Sequence, residues 1–174
     1  YTGLLESRCV CGSRKMYKEL SRIIYKDSSW SNENFLKAKK VEQEQRYWKY
    51  SNTGYLLEPD IKEGPGGFRD FQTLMWITKK YFKTNSLNDL YKLKIISKEE
   101  RVLLLRSYRF LSKARFFLHL ISDKPEERLF FSNQKKLAEF FGYSCETNKG
   151  VERFMQEFYK QITLIRQLNE ILIK

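Results

Sequence analysis

The sequence predicts an all-α domain, a single bundle of roughly seven helices over residues 1–174 with one Gly/Pro-rich loop. Three observations lead to this prediction. Apolar residues recur at helical spacing along most of the chain. Only 3 of the 174 residues are proline. No segment shows the sustained alternation of apolar and polar residues that is typical of a strand.

Serines mark the starts of the helices predicted in the first third of the chain. Ser13 and Ser31 can each act as an N-cap. The second helix has an apolar face (Met16, Leu20, Ile23, Ile24). The third is highly charged, so much of it should face solvent or a partner. The predicted extents are residues 3–12, an apolar segment ending near Gly12, then Ser13 to Tyr25 and Ser31 to Tyr50, with sparse apolar positions Phe35, Val41 and Trp48.

The rest of the chain carries the clearest helical patterns. Ser86 can cap a short helix, and Ser97 with Glu100 forms the Ser-x-x-Glu pattern of a capping box. The helix after this box is apolar on most faces, so we expect it to be central. The other predicted extents are a helix after the loop with the stripe Phe68, Phe71, Met75 and Phe82, then Ser97 to Ile121, Ser132 to a stop at Gly142, and Gly150 to Lys174 with the stripe Val151, Phe154, Phe158, Ile162, Ile165, Leu168 and Leu172.

The loop at residues 57–70 concentrates two prolines and three glycines directly before a helix. A glycine-rich turn that opens a helix presents free backbone N–H groups, which suit an anion such as a phosphate. Lys62 and Arg69 flank the turn and can add charge-assisted hydrogen bonds. The alternative is a tight loop that only caps the helix.

The net charge of +12 favours phosphates, nucleic acid or an acidic partner, unless the excess is simply spread over helix faces. The basic residues recur singly or in pairs, which argues against a disordered nucleic-acid tail. Three cysteines (Cys9, Cys11, Cys145) argue against a disulfide framework and favour reduced thiols in a cytosolic protein. No segment approaches the length of a membrane span.

Several enzyme classes are excluded by counting residues. A two-metal nucleotidyltransferase site requires two aspartates separated by one residue, and no two aspartates of this chain have that spacing. The one histidine, His119, is too few for a His-Asp phosphohydrolase. A metal site formed by the carboxylates of the loop is not favoured, because Lys62 and Arg69 lie among them and mutual salt bridges compete. Those carboxylates are Glu58, Asp60, Glu63 and Asp70.

Two helical positions are further candidates for a cleft. His119 lies in the presumed central helix, with Arg115 one turn before it on the same face. It is either a core histidine satisfied by a neighbour or a proton donor or ligand contact. The third helix carries Lys40, Glu42 and Arg46. Glu42 and Arg46 are four residues apart and can form an ion pair on one face of the helix. The alternative for that helix is a solvated face.

Several blocks of the sequence, taken in order, suggest a family. The longest runs from Glu58 to Asp70, Glu-Pro-Asp-Ile-Lys-Glu-Gly-Pro-Gly-Gly-Phe-Arg-Asp. The others are Leu4-Leu5-Glu6-Ser7-Arg8, Cys11-Gly12-Ser13-Arg14, Lys40-Val41-Glu42 with Arg46, Trp76-Ile77, Arg115 to Leu120, Arg128 to Phe131 with Gln134, Val151 to Met155 and Leu168 to Leu172. Together they resemble the bacterial bifunctional protein-PII uridylyltransferase/uridylyl-removing enzymes, with Phe68 where a Leu is usual.

The resemblance implies the helical domain that follows the nucleotidyltransferase domain of a nitrogen-sensing enzyme. Such an enzyme transfers UMP from UTP, with Mg²⁺, to a tyrosine of the PII signal protein and removes it again. It also has a His-Asp hydrolase domain and ACT domains that sense glutamine. The present chain lacks both sets of catalytic residues, so we expect it to be inactive alone and without a metal site. Its reduced thiols lead us to expect a cytoplasmic protein.

The resemblance carries the loop signature over to this chain as nucleotide or phosphate contacts. These residues are Lys62, Gly64, Gly66, Gly67, Arg69 and Asp70, with Lys40, Glu42, Arg46, Arg115 and His119 as cleft candidates of second rank. The rival hypothesis is that Arg69 and Asp70 form salt bridges that only hold the turn. Two other function classes stay open, an interaction scaffold that links the catalytic and ACT domains and a basic helical module that binds nucleic acid.

Overall fold

The computed structural model describes residues 1–26, 30–51, 57–84 and 86–173, and in these residues the fold is all-α. The predicted fold class is therefore confirmed, with eight helices in the described residues rather than roughly seven. They are α1 (Thr2–Leu5), α2 (Arg14–Ile24), α3 (Asn32–Ser51), α4 (Phe68–Phe82), α5 (Leu87–Lys92), α6 (Lys98–Ser122), α7 (Phe131–Phe140) and α8 (Asn148–Ile173). The predicted end of the last helix at Lys174 lies outside the described residues.

The main core lies between α4, α6, α7 and α8. The stripe predicted for α8 is confirmed, because all seven of its residues are buried in this core or packed against it. A smaller second core joins α1, α2, α3 and α4 with the end of α8. Fully buried side chains of the main core include Leu104, Leu111 and Leu118 of α6, Leu137 of α7, and Phe154, Phe158 and Ile165 of α8.

The predicted caps are present. The side chain of Ser13 accepts a hydrogen bond from the N–H of Met16, and Ser97 and Glu100 form the complete capping box. At the end of α7, Gly142 has φ +86°. The N–H groups of Gly142 and Tyr143 donate to the carbonyls of Glu139 and Ala138, which is the Schellman arrangement of a helix C-terminus.

The first predicted helix is much shorter than expected. The apolar segment 3–12 predicted one helix to Gly12, but α1 ends at Leu5. Two contacts with distant residues hold the chain that follows. Trp76 Nε1 donates to Glu6 Oε1 at 2.8 Å, and the hydroxyl of Tyr17 donates to the carbonyl of Ser7 at 2.8 Å. Helical spacing in a sequence cannot reveal such tertiary contacts, so the predicted helix was too long.

Two helices leave apolar residues at the surface. In α2, Ile24 is buried while Met16 is 71% exposed. In α3, Phe35 is buried while Trp48 is 73% exposed, so much of this helix is at the surface, as its charge predicted. None of the helices within the described ranges has the length and apolar content of a membrane span.

Candidate functional site

Asp60 organises the first half of the Gly/Pro loop. Its Oδ1 accepts the N–H groups of Lys62 at 2.9 Å and Glu63 at 2.6 Å. Its carbonyl accepts the N–H of Gly64 at 3.1 Å. Burial raises the pKa of Asp60, and the two backbone hydrogen bonds oppose that shift only in part. The loop is thus a tight turn built around one half-buried carboxyl group.

The glycines of the loop are required by close packing. Gly66 has φ +78°, and a Cβ atom there would lie 1.9 Å from the carbonyl oxygen of Ile162 in α8. At Gly64 and Gly67 a Cβ would lie 2.4 and 2.7 Å from the carbonyl oxygens of Asp60 and Ile61. Any larger side chain must displace backbone at these three positions, so the loop lies directly against α8.

The first N–H groups of α4 are used by the loop itself. Those of Phe68 and Arg69 donate to the carbonyls of Ile61 at 3.1 Å and Lys62 at 2.9 Å. The N–H of Gly66 donates to Asp70 Oδ2 at 2.6 Å. The expectation of free N–H groups at this helix start is therefore wrong. Contact of the loop with a nucleotide stays a prediction that rests on its side chains.

Asp70 is the centre of a buried polar cluster. Its carboxylate, 0% exposed, accepts hydrogen bonds from Arg46 Nη2 and from the hydroxyl of Tyr47 as well as from Gly66. Asn169 Nδ2 donates to the carbonyl of Asp70 at 2.6 Å. These five residues, the Asp70 cluster, join α3, α4 and α8 through the loop. The pKa of Tyr47 is raised, first by burial and then by the charge of Asp70, so its hydroxyl remains a donor.

The cations that flank the turn differ in their partners. Arg69 Nη2 lies 2.9 Å from Glu63 Oε1, and Arg69 Nη1 donates to Gln72 at 3.1 Å. Burial alone would raise the pKa of Glu63, but the hydrogen bond and charge of Arg69, with Arg46 and Lys62, lower it. Lys62 forms no ion pair with any residue that the structure describes.

A second polar cluster, centred on Glu127, lies at the start of the loop. Arg115 Nε donates to Glu127 Oε2 at 2.7 Å, and His119 Nε2 lies 3.6 Å from Glu127 Oε1. The carbonyl of Glu127 accepts the N–H of Ile61 at 2.8 Å. Arg115, His119 and Glu127 are called the Glu127 cluster below. The predicted shared face of Arg115 and His119 is confirmed, since both meet the same carboxylate.

The predicted pairs on α3 need correction. Glu42 pairs with Lys39, one turn earlier, with Oε2 2.5 Å from Lys39 Nζ. Arg46 instead reaches Asp70 of α4 and the carbonyl of Glu63, the latter at 2.9 Å. The charge of the buried Asp70 is screened by less water than that of the exposed Glu42, so it attracts the guanidinium of Arg46 more strongly. Lys40 lies apart from the loop and lines an open cavity of about 360 Å³ beside Tyr47.

Each carboxylate of the loop forms an ion pair or hydrogen bonds with other residues of the domain. Glu58 pairs with Arg128 at 3.0 Å and also accepts the N–H of Phe131 at the start of α7. This contact explains why α7 begins at Phe131 rather than at the predicted Ser132. In the described part of the chain, no group of three or more His, Cys, Asp or Glu side chains could hold a metal ion.

Sequence reasoning missed three residues of these clusters. Tyr47 and Glu127 carry no pattern that separates them from surface residues. Asn169 does carry a signal, because it lies four residues after Ile165 on the apolar stripe of α8. A polar residue at a buried helical position requires a hydrogen-bond partner, and Asp70 supplies it.

Comparison with known proteins identifies relatives of the whole chain. A family described as GlnD PII-uridylyltransferase matches residues 34–173. A bifunctional uridylyltransferase/uridylyl-removing enzyme of Vibrio atlanticus (strain LGP32) is 42% identical over 173 residues, which cover 99% of this chain and 20% of the relative. Proteins of the same description from Aliivibrio fischeri (strain MJ11) and Hydrogenovibrio crunogenus are 40% and 37% identical, with the same coverage.

The chain spans about a fifth of the length of these curated relatives. No solved structure matches it.

Proposed function

The chain belongs to the GlnD PII-uridylyltransferase family, and on that premise we propose that it is the helical domain supporting the transferase site of a bifunctional enzyme. That enzyme transfers UMP from UTP to a tyrosine of the PII signal protein and removes it again. In this proposal the catalytic residues and the glutamine-sensing ACT domains belong to the parts of the enzyme outside this chain.

The observation that carries the proposal is that one charged group at the loop has no ion pair while the others do. Arg46, Arg69, Asp70 and Glu63 are paired with one another. Together with the hydrogen bond from Asn169 to the carbonyl of Asp70, these pairs fix the loop on α3, α4 and α8. Lys62 lies on the same fixed turn without an ion pair among the described residues. A cation that is carried on a fixed turn and has no ion pair suits a phosphate group of UTP.

The two hypotheses about the loop then combine. Arg69 and Asp70 hold the turn, as the rival hypothesis expected, and Lys62 contacts the nucleotide. The described residues offer no ligand set for the Mg²⁺ that the resemblance implies, so no step of the proposal uses a metal held by this chain. Cys9 and Cys11 are exposed free thiols, which supports a cytoplasmic location.

The test uses the full-length enzyme with Lys62→Ala and, as a matched control, the exposed Lys136→Ala of α7. The loss of a hydrogen bond to a charged phosphate costs about 1.5–3 kcal/mol. We expect UMP transfer to PII to fall about ten- to hundredfold in Lys62→Ala, at an unchanged melting temperature. The control should keep the wild-type rate. Wild-type transfer by Lys62→Ala would contradict the proposal.

A second function, an interaction scaffold, is favoured by the exposed apolar residues of α2 and α3. Met16 is 71% exposed, Val41 50% and Trp48 73%. Val41 and Trp48 lie about two turns apart in α3 and so share one face of that helix. Exposed apolar residues of this kind are typical of a contact with another domain or protein. We propose that the exposed apolar residues of α2 and α3 couple the domain to the glutamine-sensing part of the enzyme.

The scaffold function is tested with Met16→Gln and Trp48→Gln in the full-length enzyme. We expect both variants to fold and transfer UMP but to respond less to glutamine. An unchanged glutamine response in both variants would contradict a coupling role for these residues.

A further inference from the structure

We infer that a polar cavity between α1, α2 and α4 binds a small phosphate-bearing anion. This cavity has a volume of about 320 Å³, and its lining includes Glu6, Ser7, Arg8, Tyr25 and Lys79. It is separate from the Gly/Pro loop and from both polar clusters. The inference is therefore independent of the proposed nucleotide contact by Lys62.

The segment that brings Arg8 to the cavity is fixed, although it lies outside α1. Glu6 Oε1 accepts the indole N–H of Trp76 at 2.8 Å. The carbonyl of Ser7 accepts the hydroxyl of Tyr17 at 2.8 Å. These two contacts hold the backbone directly before Arg8 against α4 and α2. Arg8 thus follows an anchored segment, so its backbone loses little further conformational entropy when the side chain binds a ligand.

The charges around the cavity call for an anion. Arg8 and Lys79 line the same space, and within the described ranges neither forms an ion pair. Glu6 is the one carboxylate among the lining residues that the structure describes, so Arg8 and Lys79 leave the lining with a net positive charge. An oxyanion between the two cations would receive charge-assisted hydrogen bonds from both.

The remaining polar groups and the volume limit the ligand. Burial, together with the neighbouring Tyr17 and Tyr1, raises the pKa of Tyr25, so its phenol keeps the proton that it can donate. A cavity of about 320 Å³ lies at the lower end of the range of small-molecule sites. It suits inorganic phosphate, pyrophosphate or a small organic phosphate.

The experiment is an NMR titration of the 174-residue chain with pyrophosphate, followed by calorimetry on variants. We expect saturable amide shifts confined to residues 6–8, 17–25 and 76–79. Affinity should fall at least about tenfold in Arg8→Ala and in Lys79→Ala, as expected for a lost charged hydrogen bond. It should be unchanged in Lys136→Ala. Arg8→Gln, which keeps most of the stem, serves if Arg8→Ala lowers the melting temperature.

The source of the phosphate is separated by a parallel titration with uridine 5′-monophosphate. Tighter binding of pyrophosphate assigns the site to a free inorganic anion, and tighter binding of the nucleotide assigns it to a nucleotide phosphate. Shifts centred on residues 62–70, linear shifts without saturation, or wild-type affinity in both Arg8→Ala and Lys79→Ala would overturn the inference.

Discussion

The Asp70 cluster and the Glu127 cluster hold the two ends of the same loop, yet they differ in exposure to water. The ion pair of Asp70 has side chains 0% and 8% exposed, whereas those of Glu127 and Arg115 are 18% and 33% exposed. Breaking a buried pair leaves an uncompensated charge in a region of low dielectric. When a partly exposed pair is broken, water solvates the remaining charge, so little stability is lost. The loop is therefore held mainly from its α4 end.

The largest effect is expected for Asp70→Ala. This substitution leaves the guanidinium of Arg46 and the hydroxyl of Tyr47 without their buried acceptor. We expect the free energy of unfolding in urea to fall by about 3–5 kcal/mol. As a control, Glu33→Gln removes an exposed pair with Lys37 and should leave the free energy of unfolding almost unchanged. A loss for Asp70→Ala as small as the control's would contradict the energetic difference between the clusters.

Two glycines with similar backbone angles separate packing from backbone strain. Gly66 and Gly142 have φ +78° and +86°, but a Cβ at Gly142 meets no atom within 4 Å. Gly142→Ala should therefore cost only the strain of about 1–2 kcal/mol.

In Gly66→Ala the new Cβ also overlaps the carbonyl of Ile162, which should add roughly 1–3 kcal/mol. Urea unfolding of both variants gives the comparison. Equal losses would show that the loop does not lie tightly against α8.

A substitution in the Glu127 cluster should change the stability of the domain only slightly. Arg115→Gln keeps most of the aliphatic stem and removes the charge that meets Glu127. Because this pair is partly exposed, we expect a loss of at most about 1 kcal/mol, measured by thermal and urea unfolding. A loss equal to that of Asp70→Ala would mean that both ends of the loop stabilise the domain alike.

The smallest effect is a pH dependence at Glu63. Its pKa lies below the ordinary 4.5, because Arg69 and its other cationic neighbours outweigh burial. A lowered pKa in the folded state adds stability above about pH 4.5, which is lost as pH falls through the lowered value. The melting temperature of the wild type should therefore exceed that of Glu63→Gln more at pH 6 than at pH 3. A difference that is constant from pH 3 to pH 6 would contradict this.

Local features of this chain could be predicted from the sequence, and contacts between distant segments could not. Ser13 and the Ser97–Glu100 box act within one helical turn, so their caps were found. Arg46 was assigned to Glu42 because four-residue spacing is visible in a sequence. Its actual partner, Asp70, is 24 residues away. The glycine signature located the loop, but the packing of Gly66 on Ile162 depends on the position of α8.

The same distinction applies to the site. The sequence placed Lys62 and Arg69 together as flanking cations and left open whether Arg69 contacts a nucleotide or forms a salt bridge. The fold shows that Arg69 is paired with Glu63. The central claim is that the loop presents Lys62 to the nucleotide while its other charged groups hold the turn.

The most direct test is calorimetric titration of the full-length enzyme with UTP and Mg²⁺, comparing wild type, Lys62→Ala and Lys136→Ala. The account predicts that UTP affinity falls at least about tenfold in Lys62→Ala and is unchanged in Lys136→Ala. Equal affinity in all three proteins would contradict it and leave the loop a purely structural turn.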